Sequence, residues 1–206
     1  FDGKGGSQRR RKIFPDYKAN RLVRTKLNRT NAFSDKDSED QNMKMQLGRL
    51  VQYLDHLPVQ ILAPQNIEAD DAIAYISKQL LTDSKIFIMS SDKDFIQLVD
   101  DRIAVWSPTK KKLYFKSDVI EDYKLPAHNY LLYRTLTGDK SDNIPGIRGT
   151  GIATLQKRLP MLFSDNIISI DNLIEECKDS KIKVMQTISE SREQLELNYK
   201  LMQLND

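Results

Sequence analysis

As far as residue 115, short apolar runs alternate with segments of helical periodicity, and this alternation limits the possible folds more than any other feature. The run at 59–62 is typical of a short strand and the run at 85–90 of a buried one. The runs at 103–106 and 113–115 flank a polar turn, which predicts a strand–turn–strand unit. Apolar residues spaced by three or four predict amphipathic helices over 43–54 and 69–80. Strands that alternate with helices favour a mostly parallel sheet flanked by helices. The predicted fold class is therefore α/β, and residues 1–3 are expected to end a further strand.

Beyond about residue 117 the periodicity indicates helices alone. They are predicted at 117–123, 127–137, 152–159, 171–178 and 189–204. We therefore expect two units, an α/β core over residues 1–124 and a small helical domain over residues 125–206. The apolar share of 39 % is enough to build a core in both.

Composition excludes several classes of protein. No stretch approaches the ~18 consecutive apolar residues of a membrane span. The single cysteine, Cys177, cannot form an internal disulfide, and with only His56 and His128 beside it a Cys/His zinc site has too few ligands. Cysteine use of this kind favours a reducing compartment.

Basic residues are concentrated at the start of the chain. Residues 1–30 hold ten Lys and Arg against two Asp, although the net charge of the whole chain is only +3. Such a block is typical of contact with polyanions, and a solvated basic tail is the alternative. Ile13, Phe14 and Tyr17 inside the block are unlike a tail.

Four groups of carboxylates lie at the ends of the predicted strands or in the loops just after them, and at least the first three are expected to converge. In an open parallel sheet these ends form one edge, so the side chains can meet there. Carboxylates gathered at that density repel one another and need cations, and an oxygen-only set selects Mg²⁺ or Mn²⁺. Helix caps and turns are the alternative explanation for each cluster taken singly. The candidates are Asp2, Glu68, Asp70, Asp71, Asp92, Asp94, Asp139 and Asp142.

A glycine-rich segment, residues 143–153, lies between two predicted helices. Its glycines allow close approach of a phosphate, and the helix that follows offers free N–H groups. The arrangement predicts a helix–hairpin–helix element that grips a nucleic-acid backbone without reading bases. A tight interhelical turn is the alternative.

These segments together resemble the 5′-nuclease superfamily: flap endonucleases, phage 5′→3′ exonucleases of the ribonuclease H type, and the 5′-nuclease domain of bacterial DNA polymerase I. The resemblance covers residues 1 to about 160 in family order. It is carried by residues 1–4, 15–21, 68–71, 91–94 and 136–151.

The resemblance implies a PIN-like core, a helical arch over about 16–48 and a C-terminal helix–three-turn–helix subdomain. It also implies a metal-dependent, structure-specific nuclease that cuts DNA, or RNA of RNA–DNA hybrids, near 5′ ends in replication and primer removal. We expect branched or 5′-ended DNA as partner, a monomer, contacts with replication proteins, no membrane, and the cytoplasm of a bacterium or phage-infected cell. Arch residues 28–42 are expected to be poorly ordered without DNA.

The same resemblance assigns roles to residues. Two Mg²⁺ or Mn²⁺ ions are implied, the first held by Asp2, Glu68, Asp70, Asp71 and Asp92, the second by Asp94, Asp139 and Asp142. Lys18 and Arg21 match basic arch residues that act on the scissile phosphate. Nucleic-acid contacts are expected from Arg9, Arg10, Tyr17, Gly146, Gly149, Thr150, Gly151 and Lys157. K⁺ binding is expected at the hairpin.

The chain departs from the family at its start, where an N-terminal strand with a further metal-binding Asp has no counterpart. Either the sequence is partial or the first metal site is incomplete. A structure-specific DNA-binding fragment with little cleavage activity is therefore the second hypothesis. A third, an acidic protein-interaction module, leaves Lys18, Arg21 and the glycine-rich turn without a role.

Overall fold

The computed structural model describes residues 1–22 and 35–204. Short 3₁₀ helices lie at Ala19–Leu22, Lys93–Leu98 and Pro160–Phe163, and a π-helical turn, Ile76–Leu80, continues the third α-helix. The strands are β1 (Ile86–Met89), β2 (Ile103–Ser107) and β3 (Lys112–Tyr114). The α-helices are α1 (Gln8–Ile13), α2 (Lys36–Leu54), α3 (Ala69–Tyr75), α4 (Lys116–Tyr123), α5 (Ala127–Thr137), α6 (Ile152–Arg158), α7 (Ile170–Cys177), α8 (Lys183–Glu190) and α9 (Arg192–Met202).

The sheet is smaller and less parallel than the sequence predicts. β1 pairs with β2 in parallel, with Ile86 opposite Ile103, whereas β2 pairs with β3 antiparallel, with Val105 opposite Tyr114. The antiparallel pairing follows from the four-residue turn between β2 and β3, which is too short for a parallel crossover. The α/β class is confirmed, and within the described residues the sheet has one pairing of each kind.

The strands predicted at 59–62 and 1–3 are not formed. One bond joins the two segments, from the Phe1 amino group to Leu62 O at 3.0 Å. A second, from Asn66 N to Lys4 O at 3.0 Å, lies just beyond them. Pro64 lies between these bonds and has no N–H to donate, so the ladder cannot continue there. Both predictions were wrong as strands, although they located neighbouring segments.

Three apolar clusters form the core of the described residues, and the smallest packs Tyr17 and Ile144 against Leu131 and Leu201. The first packs the sheet against α4 and α5 and includes Phe95, Val105 and Tyr130. The second joins α5 to α6, α7, α8 and α9, with Leu136 and Leu155 among its buried members. Because α5 contributes to all three clusters, the division after residue 124 stays a prediction.

Several helix boundaries differ from expectation. The helix predicted over 189–204 is interrupted at Ser191, whose φ of −103° and ψ of 27° lie outside the helical region. Its hydroxyl donates to Thr187 O at 2.6 Å, an alternative to the helical ladder. α2 begins at Lys36, earlier than predicted, because Asp35 caps it by accepting from Ser38 N at 2.8 Å. α1 was not predicted.

The predicted arch, about 16–48, is covered only in part. Its first residues form the 3₁₀ helix Ala19–Leu22 and its last ones lie in α2, which buries none of its residues. Residues 23–34 lie outside the described residues, and so does the part of the order prediction that falls on 28–34. Each helix in the described ranges is too short or too polar to cross a bilayer.

Candidate metal and phosphate site

Three carboxylates from two loops meet at the carboxyl end of β1. Asp92 follows that strand and caps the next 3₁₀ helix, accepting from Asp94 N at 2.9 Å. The loop after α5 is closed by Asp139 and Ile144, whose backbones exchange two 2.8 Å hydrogen bonds. One oxygen from each of Asp94, Asp139 and Asp142 lies within 4.8 Å of the other two. The strand-end argument thus located a real cluster.

The start of α3 supplies a second group of carboxylates. Glu68 is buried at 6 % exposure, and Asp70 follows it in the first turn. Both line the same cleft as Asp92, Asp94 and Asp142. Asp2 lies at this helix start, where its Oδ1 accepts from Ala69 N at 2.6 Å. The structure therefore brings the sequence-predicted carboxylates together, with one exception.

The exception is Asp71, which faces Arg10. The guanidinium donates to both carboxylate oxygens of Asp71, at 2.6 and 2.7 Å, and to Glu68 at 2.7 Å and Leu201 O at 2.8 Å. Arg10 is only 3 % exposed and therefore cannot reach a nucleic acid, which corrects the expectation for it. Asp71 is not free to serve as a ligand while this pair persists. Arg9, half exposed beside it, remains a predicted contact.

The segment 16–21, which contains the predicted catalytic cations Lys18 and Arg21, is hydrogen-bonded to the loop after α5. Lys18 N donates to Asp142 O at 2.9 Å, and Asn20 donates to Lys140 O at 2.8 Å. Asn143 donates back to Asp16 O at 3.0 Å. These backbone contacts, more than 100 residues apart in sequence, hold the segment 16–21 at the mouth of the cleft.

Both cations pair with cleft carboxylates. The Lys18 ammonium contacts Glu68, and the Arg21 guanidinium contacts Asp142. The Lys18 side chain is largely buried, whereas that of Arg21 is half exposed. Positive and negative groups are thus interleaved at the cleft, as a site for a phosphate and its counter-ions requires.

Tyr17 is buried at the cleft, whereas the prediction placed it where its ring could stack on a base. Its ring is 3 % exposed and offers no face for stacking on a base, so that expectation is corrected. The hydroxyl donates to Glu68 at 3.0 Å and is 3.2 Å from an oxygen of Asp142. Burial and the charge of Glu68 raise the pKa of this phenol well above its usual value. Tyr17 therefore stays protonated and positions the two carboxylates.

Arg134 belongs to the site and was missed by the sequence analysis. From α5 it contacts Asp94 at 3.3 Å and also pairs with Asp139. Its Nε is buried without a hydrogen-bond partner in the described parts of the chain. An arginine within a helix of mixed polarity carries no pattern that would have marked it.

The titration behaviour indicates an excess of negative charge. Burial, with the charge of Asp92, raises the pKa of Asp70 to about 6 although Lys18 opposes the shift. Burial likewise raises the pKa of Asp94 to about 6, against the effect of Arg134. Burial acts in the same direction on Asp139, but hydrogen bonds from Ser141 and the charge of Arg134 hold its pKa below the usual value. The oxygen-only donor set and its unneutralised charge fit hard divalent cations.

Packing within the protein explains some of the glycines in the glycine-rich turn, and the need to leave space for a phosphate is not their only role. A Cβ on Gly146 would lie 2.1 Å from Thr137 O, so this glycine is needed for chain contact within the protein. Gly149 has φ +91°, whereas Gly151 faces open space at the start of α6. Thr150 is buried and donates to Leu136 O at 2.9 Å, which corrects its expected contact with nucleic acid. Lys157 is exposed on α6.

Comparisons with known proteins agree with this fold. The family described as 5′-3′ exonuclease, N-terminal resolvase-like domain, matches residues 1–124. The chain therefore belongs to the 5′-3′ exonuclease family, and the predicted membership is confirmed.

Its curated relatives carry consistent names. The chain is 31 % identical over 200 residues to a 5′-3′ exonuclease of Buchnera aphidicola subsp. Acyrthosiphon pisum, covering 95 % of this chain and 64 % of the relative. It is 28 % identical over 197 residues to that of Aquifex aeolicus, covering 95 % and 60 %. The chain thus spans less than two thirds of the length of these relatives. DNA polymerase I of Thermus thermophilus is 30 % identical over 161 residues, 78 % of this chain and 19 % of the polymerase.

Solved structures share the fold. The bacteriophage T5 flap endonuclease, crystallised with DNA and metal ions, superposes with a TM-score of 0.75 at 25 % identity, covering 97 % of this chain and 71 % of that protein. The T5 5′-exonuclease with bound zinc gives a TM-score of 0.77 at 24 % identity, with the same coverage.

Proposed function

We propose that this chain is a divalent-metal-dependent, structure-specific 5′-nuclease, a 5′→3′ exonuclease or flap endonuclease that hydrolyses phosphodiesters near 5′ ends. The observation that carries the proposal is the meeting of Asp94, Asp139 and Asp142 within 4.8 Å, in a cleft that Lys18 and Arg21 also line. Membership of the 5′-3′ exonuclease family supports it.

The carboxylates divide into two groups that would hold two Mg²⁺ or Mn²⁺ ions. Asp2, Glu68, Asp70 and Asp92 would hold one, with Asp71 reaching it only if released from Arg10. Asp94, Asp139 and Asp142 would hold the other. When bound, such ions activate a water molecule for attack and offset the charge that develops on the phosphate. The carbonyls of the glycine-rich turn would bind K⁺.

The side chains of Tyr17, Lys18 and Arg21 would position the scissile phosphate and the carboxylates of the cleft. Lys18 and Arg21 are cations at the mouth of the cleft, where a scissile phosphate would compete for them with Glu68 and Asp142. A positioned cation stabilises charge that is greater in the transition state than in the substrate. Tyr17 holds Glu68 and Asp142 through its hydroxyl and so keeps the ligand groups in place.

The substrates and setting follow from the relatives. The names of the exonuclease and polymerase relatives and the T5 complex with DNA support DNA as the substrate class. Within that class the proposal is branched or 5′-ended DNA, with RNA–DNA hybrids as further substrates. The single-stranded 5′ portion would pass under an arch formed by residues 16–48, and the duplex would rest on a helix–three-turn–helix unit at residues 146–151. We place the protein as a monomer in the cytoplasm of a bacterium or phage-infected cell, acting with replication proteins in primer removal.

A second candidate is a structure-specific DNA-binding fragment with little cleavage, because the carboxylate of Asp71 is held by Arg10 and is not free to serve as a metal ligand. A 5′-flap substrate separates the two. The nuclease binds it in Ca²⁺ and cuts it in Mg²⁺, whereas the fragment binds in both and cuts in neither. A protein that binds no flap substrate in Ca²⁺ would contradict both.

A further inference from the structure

Arg134 joins the two loops that supply the carboxylates Asp94 and Asp139. It lies in the last turn of α5, and its carbonyl accepts from Gly138 N at 2.8 Å. One of its terminal nitrogens, Nη2, lies 3.3 Å from Asp94 Oδ1 and also contacts Asp139 Oδ2. The same nitrogen therefore serves two carboxylates that come from different parts of the chain.

A comparison with Arg102 shows what distinguishes these contacts. Arg102 donates to three backbone carbonyls, those of Ser77 at 3.2 Å, Leu81 at 2.8 Å and Ser84 at 3.0 Å, and so holds the chain after α3. Within the described parts of the chain, Arg134 donates only to carboxylates, and its Nε is buried without a partner. Its side chain is only 17 % exposed. The burial of Arg134 is therefore compensated by the charge of its two carboxylates.

The two carboxylates have few other sources of positive charge. An oxygen of each lies within 4.8 Å of an oxygen of the other and of Asp142, and like charges at this separation repel. Asp142 pairs with Arg21. Among the ion pairs of residues 1–22 and 35–204, Arg134 is the one cation that is paired with Asp94 or Asp139. Because a guanidinium does not lose its proton in proteins, this charge is permanent.

Other bonds already fix the positions of these carboxylates. Asp139 Oδ1 accepts from both the N–H and the hydroxyl of Ser141 at 2.7 Å. Asp94 begins a 3₁₀ helix, where its N–H donates to the capping Asp92 at 2.9 Å. What Arg134 adds is therefore mainly charge.

We propose that Arg134 is the internal counter-ion of the group Asp94, Asp139 and Asp142: it holds these carboxylates together when no divalent ion is bound, and it lowers their affinity for the ion. This rests on the proposed function, in which the group holds one of the two ions. A divalent ion and the guanidinium neutralise the same carboxylates, so each reduces the stabilisation that the other provides, and the coupling is reciprocal. Arg134 thereby sets the metal concentration that this group requires.

The test is the melting temperature of Arg134→Gln with and without saturating Mn²⁺, at about pH 8, where carboxylates are ionised. Without metal the variant should melt about 5–10 °C below the wild type, because a buried pair is broken. Mn²⁺ should restore the larger part of this loss, since the ion supplies the missing charge. Electron paramagnetic resonance should show as many bound Mn²⁺ ions as in the wild type, one of them held roughly tenfold more tightly.

Two further variants serve as controls. Arg102→Gln removes a partly buried arginine whose partners are backbone carbonyls, so it should lower the melting temperature equally with and without Mn²⁺. Arg134→Lys keeps the positive charge and should keep a response to Mn²⁺ close to that of the wild type.

Equal losses in Arg134→Gln with and without Mn²⁺, while the wild type binds Mn²⁺, overturn the proposal and leave the nuclease function standing. Fewer or weaker Mn²⁺ ions in this variant also overturn it, because Arg134 then positions ligands and does not compete with the ion. So does an Arg134→Lys variant that behaves like Arg134→Gln. If Arg134→Gln is unfolded without metal, Mn²⁺ must restore folding, and a variant that stays unfolded counts against the proposal. A wild type that binds no Mn²⁺ and cuts no flap overturns both proposals.

Discussion

The guanidinium of Arg10 and the carboxylate of Asp71 form a buried bidentate pair, with N–O distances of 2.6 and 2.7 Å. The same guanidinium donates to Leu201 O at 2.8 Å, which ties α1 to the end of α9 across 191 positions of sequence. Glu68 is its other charged partner. This one side chain therefore joins the start of the chain, the start of α3 and the last described helix at the edge of the cleft.

Removing Arg10 should destabilise the fold severely. Arg10→Met leaves the buried Asp71 carboxylate without its bidentate partner and leaves Glu68 with Lys18 as its charged partner. Breaking a buried pair in this way costs about 3–5 kcal/mol of unfolding free energy. Urea denaturation at pH 7 measures the loss. Arg11→Met, which removes an exposed neighbour in α1, is the control and should cost little. Similar small losses in both variants would show that Arg10 is not a structural clamp.

Lys18→Ala should reduce cleavage far more than affinity. One lost phosphate contact weakens binding modestly, whereas loss of a positioned cation from the transition state costs roughly 10²-fold or more in rate. Single-turnover cleavage in Mg²⁺ and anisotropy in Ca²⁺, both on a 5′-flap substrate, give the two quantities. Lys12→Ala, an exposed cation on α1, should alter neither greatly. Equal losses in rate and affinity would make Lys18 an ordinary backbone contact.

Gly149→Val should weaken duplex binding while single-strand binding persists. Valine is strained at φ +91° and would press on Val184, so the turn must move away from the position that meets a phosphate. Gly48→Ala is the control, since Gly48 lies in α2, outside the turn, and a Cβ there meets nothing within 4 Å. Fluorescence anisotropy measures the affinity of each variant for a duplex and for a single strand. Unimpaired duplex binding by the Gly149→Val variant would show that the turn does not contact the duplex.

The stability of the β3–α4 unit should depend on pH through Asp122. Hydrogen bonds from Lys112 and Tyr114 hold the pKa of this carboxyl below its usual value. Its contribution is therefore present above the unfolded pKa, about 4, and is lost as the pH falls through the folded pKa. Asp122→Asn should cost roughly 0.2–1 kcal/mol at pH 7, as for a solvent-accessible pair, and nothing at low pH.

Urea midpoints at pH 7 and at about pH 3 test this, the lower value lying below the usual Asp pKa. Asp165→Asn, in an exposed loop, is the control and should show no such convergence. A deficit in Asp122→Asn that persists unchanged at the lower pH would mean that the charge of Asp122 is not responsible.

The site residues that the sequence predicts best are those that follow a clearly predicted strand or helix. Asp92 and Asp94 follow a clear strand, so their place at the edge of the sheet could be inferred from topology. The loop with Asp139 and Asp142 follows a helix, and its approach to that edge is seen only in the structure. Helix α5 and strand β1 were placed almost to the residue, because each has a clear local pattern.

The other features of the fold and the site depend on contacts between residues that are far apart in the sequence. Such contacts leave no local pattern from which they could be predicted. Arg9, Arg10 and Arg11 are equivalent in the sequence, yet only Arg10 is buried, because its partners come from α3 and α9. The role of Arg134 could not be predicted for the same reason, because its partner Asp94 is 40 residues away in the sequence. The run at 59–62 has the composition of a strand but lacks a ladder partner, which no local pattern reveals.

The measurement that tests the central claim most directly is the Mg²⁺ dependence of 5′-flap cleavage in the wild type and in Asp139→Asn, with Mn²⁺ binding followed in parallel by electron paramagnetic resonance. Asp83→Asn, on an exposed turn, is the control. We expect Asp139→Asn to lose one bound Mn²⁺ and to need at least roughly 10–100-fold more Mg²⁺, the loss that even an outer-shell partner causes. Identical Mg²⁺ profiles and equal Mn²⁺ binding in all three proteins would contradict the assignment of this cleft as the metal-dependent nuclease centre.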